Sequence, residues 1–200
     1  MSLVTADIAV SLNLVAAGHD QSQEHPMGAV VGQRLHTWMF EHADDHADEV
    51  AGILRARAYV MGRNMFGPDR GAWDLGWQGW WGPEPPYHAP VFVLGSRPRP
   101  PLTMAGGTTF HFVTDGIEAA LERARDAAGD GDVSIGGGPS TLNAYLAAGL
   151  VDELRLHVVP FTVAGGLRVF DGVPDLAMAP VSSRTTPQVT HLVYRRARAS

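Results

Sequence analysis

The residues best suited to chemistry lie at Val133-Ser134-Ile135-Gly136-Gly137-Gly138-Pro139-Ser140-Thr141-Leu142. A short β-branched run ends in consecutive glycines, and Pro-Ser-Thr then opens an amphipathic stretch from Leu142 to Leu150. Glycines let backbone N–H groups approach a ligand with no Cβ in the way. A helix N-terminus beyond them adds unpaired donors and a partial positive charge, which suits phosphate or pyrophosphate. Pro139 fits the first helical turn, where its missing N–H leaves no bond unmade. The segment reads as a nucleotide cradle at the carboxyl end of a strand. It is not the Gly-x-Gly-x-x-Gly fingerprint, because Thr141 stands at the third glycine position. A tight strand-to-helix turn without a ligand is the alternative reading.

The elements that must position this turn alternate along the chain. Strands are expected at Val4–Leu14, Ala58–Met61, Pro90–Leu94, Thr109–Val113, Val133–Ile135 and Leu154–Val159. A long helix is expected from Arg34 to about Arg55, with apolar positions at Leu35, Trp38, Met39, Val50, Ile53 and Leu54. A second helix, capped by Thr114 or Asp115, should run to Ala128. Two final strands, near Leu176–Arg184 and Val189–Arg196, should pair as an antiparallel hairpin. Strand–helix alternation predicts an α/β fold: a mixed, mostly parallel sheet flanked by helices, closed by that antiparallel pair, in a single domain over residues 1–200. Two further strand ends, Gly62-Arg63-Asn64 and Gly95-Ser96-Arg97, carry ligand-like turns. Ligands of open α/β sheets sit at such carboxyl ends, and arginine there clamps phosphate.

Composition removes several kinds of chemistry. The 200 residues include no cysteine, and all 15 basic residues are arginine, so thiolate, Schiff-base and lysine-dependent P-loop chemistry are excluded. A net charge of −6 with scattered arginines argues against nucleic acid or a membrane surface as partner. The exception is Arg195-Arg196-Ala197-Arg198, read as a solvated tail, and no weight is placed on the opening Met1-Ser2-Leu3. No apolar run approaches the length of a membrane span, and a cytoplasmic protein is expected. His42 and His46 stand one helical turn apart, but without a third ligand they read as a polar, solvent-facing stripe; no metal is expected. His157 and His191 read as structural. The segment 71–90 holds Trp73, Trp77, Trp80, Trp81 and Tyr87 among many glycines and prolines. It is either a lid that stacks on a flat substrate or an aromatic loop packed on its own core or a dimer interface.

The order of these motifs resembles the dihydrofolate reductase fold. In particular, it is similar to the branch of the C-terminal reductase domain of the bifunctional riboflavin-biosynthesis deaminase-reductase. The likeness is carried almost end to end by Ala9-Val10-Ser11-Leu12-Asn13, Val60-Met61-Gly62-Arg63, Val93-Leu94-Gly95-Ser96 and Ile135-Gly136-Gly137-Gly138-Pro139-Ser140-Thr141. It continues through Leu150-Val151-Asp152-Glu153-Leu154, Leu167-Arg168-Val169-Phe170-Asp171-Gly172 and Val189-Thr190-His191-Leu192-Val193-Tyr194.

The resemblance implies NADPH as hydride donor and a pterin-like or riboflavin-pathway pyrimidine-like acceptor. By position, Gly62, Arg63 and Asn64 would meet cofactor phosphates, and Ser96 and Arg97 the adenosine 2′-phosphate. Gly136, Gly137, Gly138, Pro139, Ser140, Thr141 and Leu142 would wrap the pyrophosphate and approach the nicotinamide. Ser11, Asn13 and Trp38 would border the substrate, and a homodimer is expected. Asn13 stands where the branch usually has Asp, so a titrating carboxylate is lost there. Glu41, Asp44, Asp45, Asp48 and Glu49 are candidate acids on the helix, with no motif to choose among them, so the proton donor is unassigned. The alternatives are a reductase using another cofactor such as a deazaflavin, or a non-catalytic nucleotide- or pterin-binding homodimer.

Overall fold

The computed structural model describes residues 2–68 and 71–197; Met1 and the Arg198 of the terminal cluster lie outside the described residues. The strands are β1 (Val4–Ser11), β2 (Val15–Ala17), β3 (Ala58–Gly62), β4 (Pro90–Leu94), β5 (Leu102–Thr103) and β6 (Thr109–Val113). They continue as β7 (Val133–Ile135), β8 (Glu153–Val159), β9 (Leu167–Arg168), β10 (Met178–Thr185) and β11 (Thr190–Arg196). The α-helices are α1 (Thr37–Phe40), α2 (Ala47–Ile53), α3 (Arg63–Phe66), α4 (Ile117–Ala128) and α5 (Pro139–Ala147). Nine strands form one sheet in the order β10-β11-β8-β1-β7-β3-β4-β6-β5, while β2 and β9 pair separately. From β8 through β6 every pairing is parallel. β5 at one end and the β10–β11 hairpin at the other are antiparallel. The expected mixed sheet and closing hairpin are both present.

Alternation along the strands builds a core on each face. Val4, Ala6, Ile8 and Val10 of β1 join Leu121, Ala124, Leu142 and Leu146 of α4 and α5 on one side. On α4, Ala120, Leu121, Ala124 and Ala128 form the buried stripe, and its small residues let the helix lie close to the sheet. Full burial of Leu121 contributes about 2 kcal/mol. The opposite face carries two clusters. Leu35 and Trp38 of the 32–53 segment pack with Ala9 and Val15, and Tyr59, Met61, Val91, Val93 and Phe110 lie under the 71–90 loop.

The expected long helix from Arg34 to Arg55 is instead four short pieces. A 3₁₀ turn at Gly32–His36, α1, a second 3₁₀ turn at Ala43–His46 and α2 follow one another. An unbroken stripe would need apolar residues near positions 42 and 46, and the chain supplies His42 and His46 there. His36, His42 and His46 leave helical geometry, and the second break turns His46 fully into the interior. The expected cap of α4 also differs. Gly116 at φ 95° precedes the helix without a side-chain cap, while Asp115 pairs with Arg123 at 2.5 Å.

Candidate functional site

Parallel pairing brings three strand ends to one edge. The Gly62 N–H donates to Gly137 O at 2.8 Å, and the Gly136 N–H donates to Val60 O at 2.8 Å, which stitches the end of β3 to the glycine turn after β7. A Cβ on Gly62 would overlap the Thr141 hydroxyl, so the strand end and the first turn of α5 meet only because Gly62 has none. Gly137 is left-handed at φ 87°, and the Gly137–Gly138 peptide is cis. A Cβ on Gly138 would meet nothing within 4 Å, so the turn presents its backbone to open space. α5 starts at Pro139 with no side-chain cap, so no capping side chain takes the Ser140 and Thr141 amides of its first turn. A cavity lined by Ser140, Asn143, Leu167, Arg168 and Asp171 opens beside this helix.

The end of β4 joins the same edge through Trp73. Its Nε1–H donates to Arg97 O at 2.9 Å, its ring would lie 3.4 Å from a Cβ on Gly95, and the Arg63 guanidinium stacks 3.7 Å above it. Ser96 and Arg97 are exposed. Asn64 donates Nδ2–H to Gln21 Oε1 at 2.6 Å and accepts from Trp80 through its carbonyl, so it anchors the neighbouring loops. Leu142 departs from its expected role. Its side chain is fully buried and its N–H closes the turn onto Gly138 O, so it builds the cradle from behind.

The 71–90 loop is packed on its own core. Trp73, Trp77, Trp81 and Tyr87 cover Tyr59, Phe66, Val91 and Phe110. Arg99, which no motif marked, holds this loop in shape. Its buried guanidinium donates to the carbonyls of Asp74, Leu75 and Trp77 at 3.2, 3.4 and 2.6 Å and lies 5.1 Å above the Phe66 ring. Trp73 nonetheless reaches the end of β4, where it touches Arg97 O and lies against Gly95.

Ser11, Asn13 and Trp38 do not gather around an open pocket. Ser11 Oγ donates to Asn13 Oδ1 at 2.8 Å and accepts from the Val15 N–H at 3.1 Å. Asn13 donates Nδ2–H to Val163 O at 2.8 Å and accepts from the Val163 N–H at 3.0 Å. An ionised carboxylate cannot make that pair, since it needs both a donor and an acceptor. Trp38 is buried among His46, His157 and His191, with ring centroids 4.8–5.4 Å away. Among the candidate acids, Glu41, Asp44, Asp45 and Asp48 are exposed. Hydrogen bonds from Arg184 hold the Glu49 carboxyl at about 2, so it stays ionised.

A polar chain on the 32–53 side of the sheet had no motif to announce it. Asp7 Oδ1 faces His157 Nε2 at 3.6 Å, His157 Nδ1 meets His191 Nδ1 at 2.7 Å, and His191 Nε2 meets His46 Nδ1 at 2.9 Å. Burial lowers the pKa of His46, and burial together with His157 lowers that of His191 to about 4, so both are neutral imidazoles near pH 7. His46 therefore is no solvent-facing residue. The legible signal was Asp7, Arg155, His157 and His191 at same-face positions of buried strands.

Residues 2–192 match the family of the RibD C-terminal domain. The chain belongs to that family. No curated protein matches it. A candidate riboflavin biosynthesis protein from Shewanella sp. PV-4 superposes with a TM-score of 0.62 at 21% identity, over 98% of this chain and 99% of that one. The Thermotoga maritima diaminohydroxyphosphoribosylaminopyrimidine deaminase/5-amino-6-(5-phosphoribosylamino)uracil reductase gives 0.63 at 15% identity, covering 98% of this chain and 57% of that chain. Acinetobacter baumannii RibD gives 0.59 at 15%, covering 99% and 59%. The RibD C-terminal fold, a dihydrofolate reductase-like sheet, is thus shared at low identity, and this chain spans under three-fifths of the Thermotoga and Acinetobacter proteins. Among the described residues, no helix is long and apolar enough to cross a membrane.

Proposed function

We propose that this RibD C-terminal domain is an NADPH-dependent reductase that delivers hydride to a flat heterocycle of the riboflavin-pathway pyrimidine or pterin kind. The observation that carries the reading is the placement of Gly62, Gly137–Ser140 and Ser96–Arg97 at the carboxyl ends of adjacent strands, with the uncapped start of α5 against Gly62. Those groups fit a dinucleotide. The uncapped amides of Ser140 and Thr141 would take the pyrophosphate, the bare Gly138 backbone lets the ligand lie close, and exposed Arg97 would meet a 2′-phosphate. Bound NADPH would supply the hydride; the protein supplies binding, orientation and exclusion of water. Trp73 forms a flat wall whose position is fixed by Arg97 O and the Arg63 guanidinium. Glu49 donates no proton, because Arg184 holds it as a carboxylate.

The test is titration of NADPH, and separately NADH, into the purified chain, followed by tryptophan fluorescence and thermal stability. Saturable NADPH binding tighter than NADH, with the preference lost in Arg97→Ala, is the expected result. Binding of neither nucleotide overturns the reading.

A further inference from the structure

We propose that His46, Glu49 and His191 form a divalent metal site of the zinc type, in which the Arg184 guanidinium stands in for the ion. One ligand atom from each residue lies within 4.8 Å of the others. His46 Nδ1 and His191 Nε2 are 2.9 Å apart, and His191 Nε2 is 3.9 Å from Glu49 Oε1. Tetrahedral zinc, with Zn–N bonds of about 2.0–2.1 Å, spaces its ligands by roughly 3.3 Å, so the two imidazoles would part by a few tenths of an ångström and the Glu49 carboxylate would swing in toward them. His46 and Glu49 come from one helical turn and its successor, and His191 from β11, which supplies the third ligand that the sequence alone does not reveal.

The cluster already holds a cation. Arg184 donates Nε–H and Nη2–H to the two Glu49 oxygens at 2.8 and 2.7 Å, and its Nη2 lies 3.1 Å from His46 Nδ1. That side chain is nearly half exposed, so it opens a route from solvent and can withdraw without unpacking the core.

The tautomers supply an independent argument. Arginine only donates, so His46 Nδ1 must accept, and His191 must donate to it from Nε2. A neutral His191 then accepts at Nδ1 from His157 Nδ1–H. If His157 carries that single proton, its Nε2 and Asp7 Oδ1, both buried and without a hydrogen bond, face each other at 3.6 Å as two acceptors. A metal on His191 Nε2 reverses the chain. His191 Nδ1–H donates to His157 Nδ1, and His157 Nε2–H donates to Asp7 Oδ1, so both orphaned atoms gain partners. A carboxylate orienting imidazole behind a metal ligand is the usual outer-shell arrangement, here lengthened by one histidine.

The experiment uses the full chain stripped with EDTA, then titrated with Zn2+ by calorimetry and with Co2+ by visible absorption. The expected result is one ion per chain with the intense bands of a four-coordinate Co2+ site. Arg184→Ala should tighten binding by about tenfold or more, since it frees Glu49. His191→Gln and Glu49→Gln should weaken it by about a hundredfold, and His157→Phe by about 10–100-fold through the lost orienting bond. Far-UV circular dichroism checks that each variant folds. In the wild-type protein, 15N NMR of the imidazoles should report Nε2 of His157 becoming protonated on adding Zn2+, which exposed histidines would not cause. Absence of binding in both wild type and Arg184→Ala overturns the proposal. So does binding that is unchanged in a folded His191→Gln protein.

Discussion

Replacing Asn13 by aspartate tests the reading of the first turn. In the wild-type chain the Asn13 amide donates to Val163 O at 2.8 Å, accepts from the Val163 N–H at 3.0 Å and accepts from Ser11 Oγ at 2.8 Å. In Asn13→Asp an ionised carboxylate keeps both accepted bonds but sets its second oxygen against the Val163 carbonyl. An acceptor left without its donor costs about 1–3 kcal/mol, and for this half-buried position we expect about 2 kcal/mol. In a chain of this size that lowers Tm by roughly 4–8 °C at pH 7.5. Once protonated, the introduced carboxyl can donate to Val163 O again, so the folded state favours the proton. Two kcal/mol between the two forms corresponds to about 1.5 pK units, moving that carboxyl from about 3.9 to about 5.4. The deficit should therefore be complete above about pH 5.4 and disappear as pH falls below about 3.9. Urea unfolding of wild type, Asn13→Asp and Asn13→Ala between pH 7.5 and pH 4 measures it. The alanine variant should keep a constant deficit. An Asn13→Asp deficit that is absent at pH 7.5, or equal at both ends of the range, refutes the account.

Gly62→Ala should destabilise by about 2 kcal/mol, because its methyl group overlaps the Thr141 hydroxyl at the start of α5. Thr141→Ala should restore much of that loss, and additive costs in a double-mutant cycle on denaturation midpoints would contradict it. Glu153 accepts two hydrogen bonds from Arg155 and one from Arg195. Burial pushes its carboxyl up, but these arginines bring it below its ordinary 4.5, so its stabilisation is present above about pH 4.5 and lost as pH falls through the lower folded value. The destabilisation caused by Glu153→Gln should accordingly fade in acid-unfolding curves below pH 4.5, and a constant deficit would rule this out.

Much of the scaffold was written in local pattern. Short β-branched or aromatic runs such as Ala58-Tyr59-Val60-Met61 and Pro90-Val91-Phe92-Val93-Leu94 have no polar residue to expose, and both are interior parallel strands. The glycine turn was equally legible, since Gly-Gly-Gly-Pro-Ser-Thr states both the missing side chains and the helix start. The 32–53 segment was not, because its course depends on a partner about 145 residues away: His46 turns inward to meet His191. The same limit applies to Asn13, whose partner Val163 lies 150 residues on. Its type marked a departure from the family, while its purpose as a two-sided amide bridge needed the fold. Arg99 was hidden because its partners are backbone carbonyls, which no side-chain pattern reveals.

The central position of β1 has a consequence for how the chain is born. Val4 pairs with Val133 and Thr5 with Glu153, so β1 lies between two strands made well over a hundred residues after it. β3 likewise awaits β7 on one side. Such non-local pairing makes for slow folding and leaves strand edges uncovered while synthesis continues. The proposed nucleotide cradle includes residues 133–147, so a cofactor bound there would stabilise the sheet only once those residues have emerged.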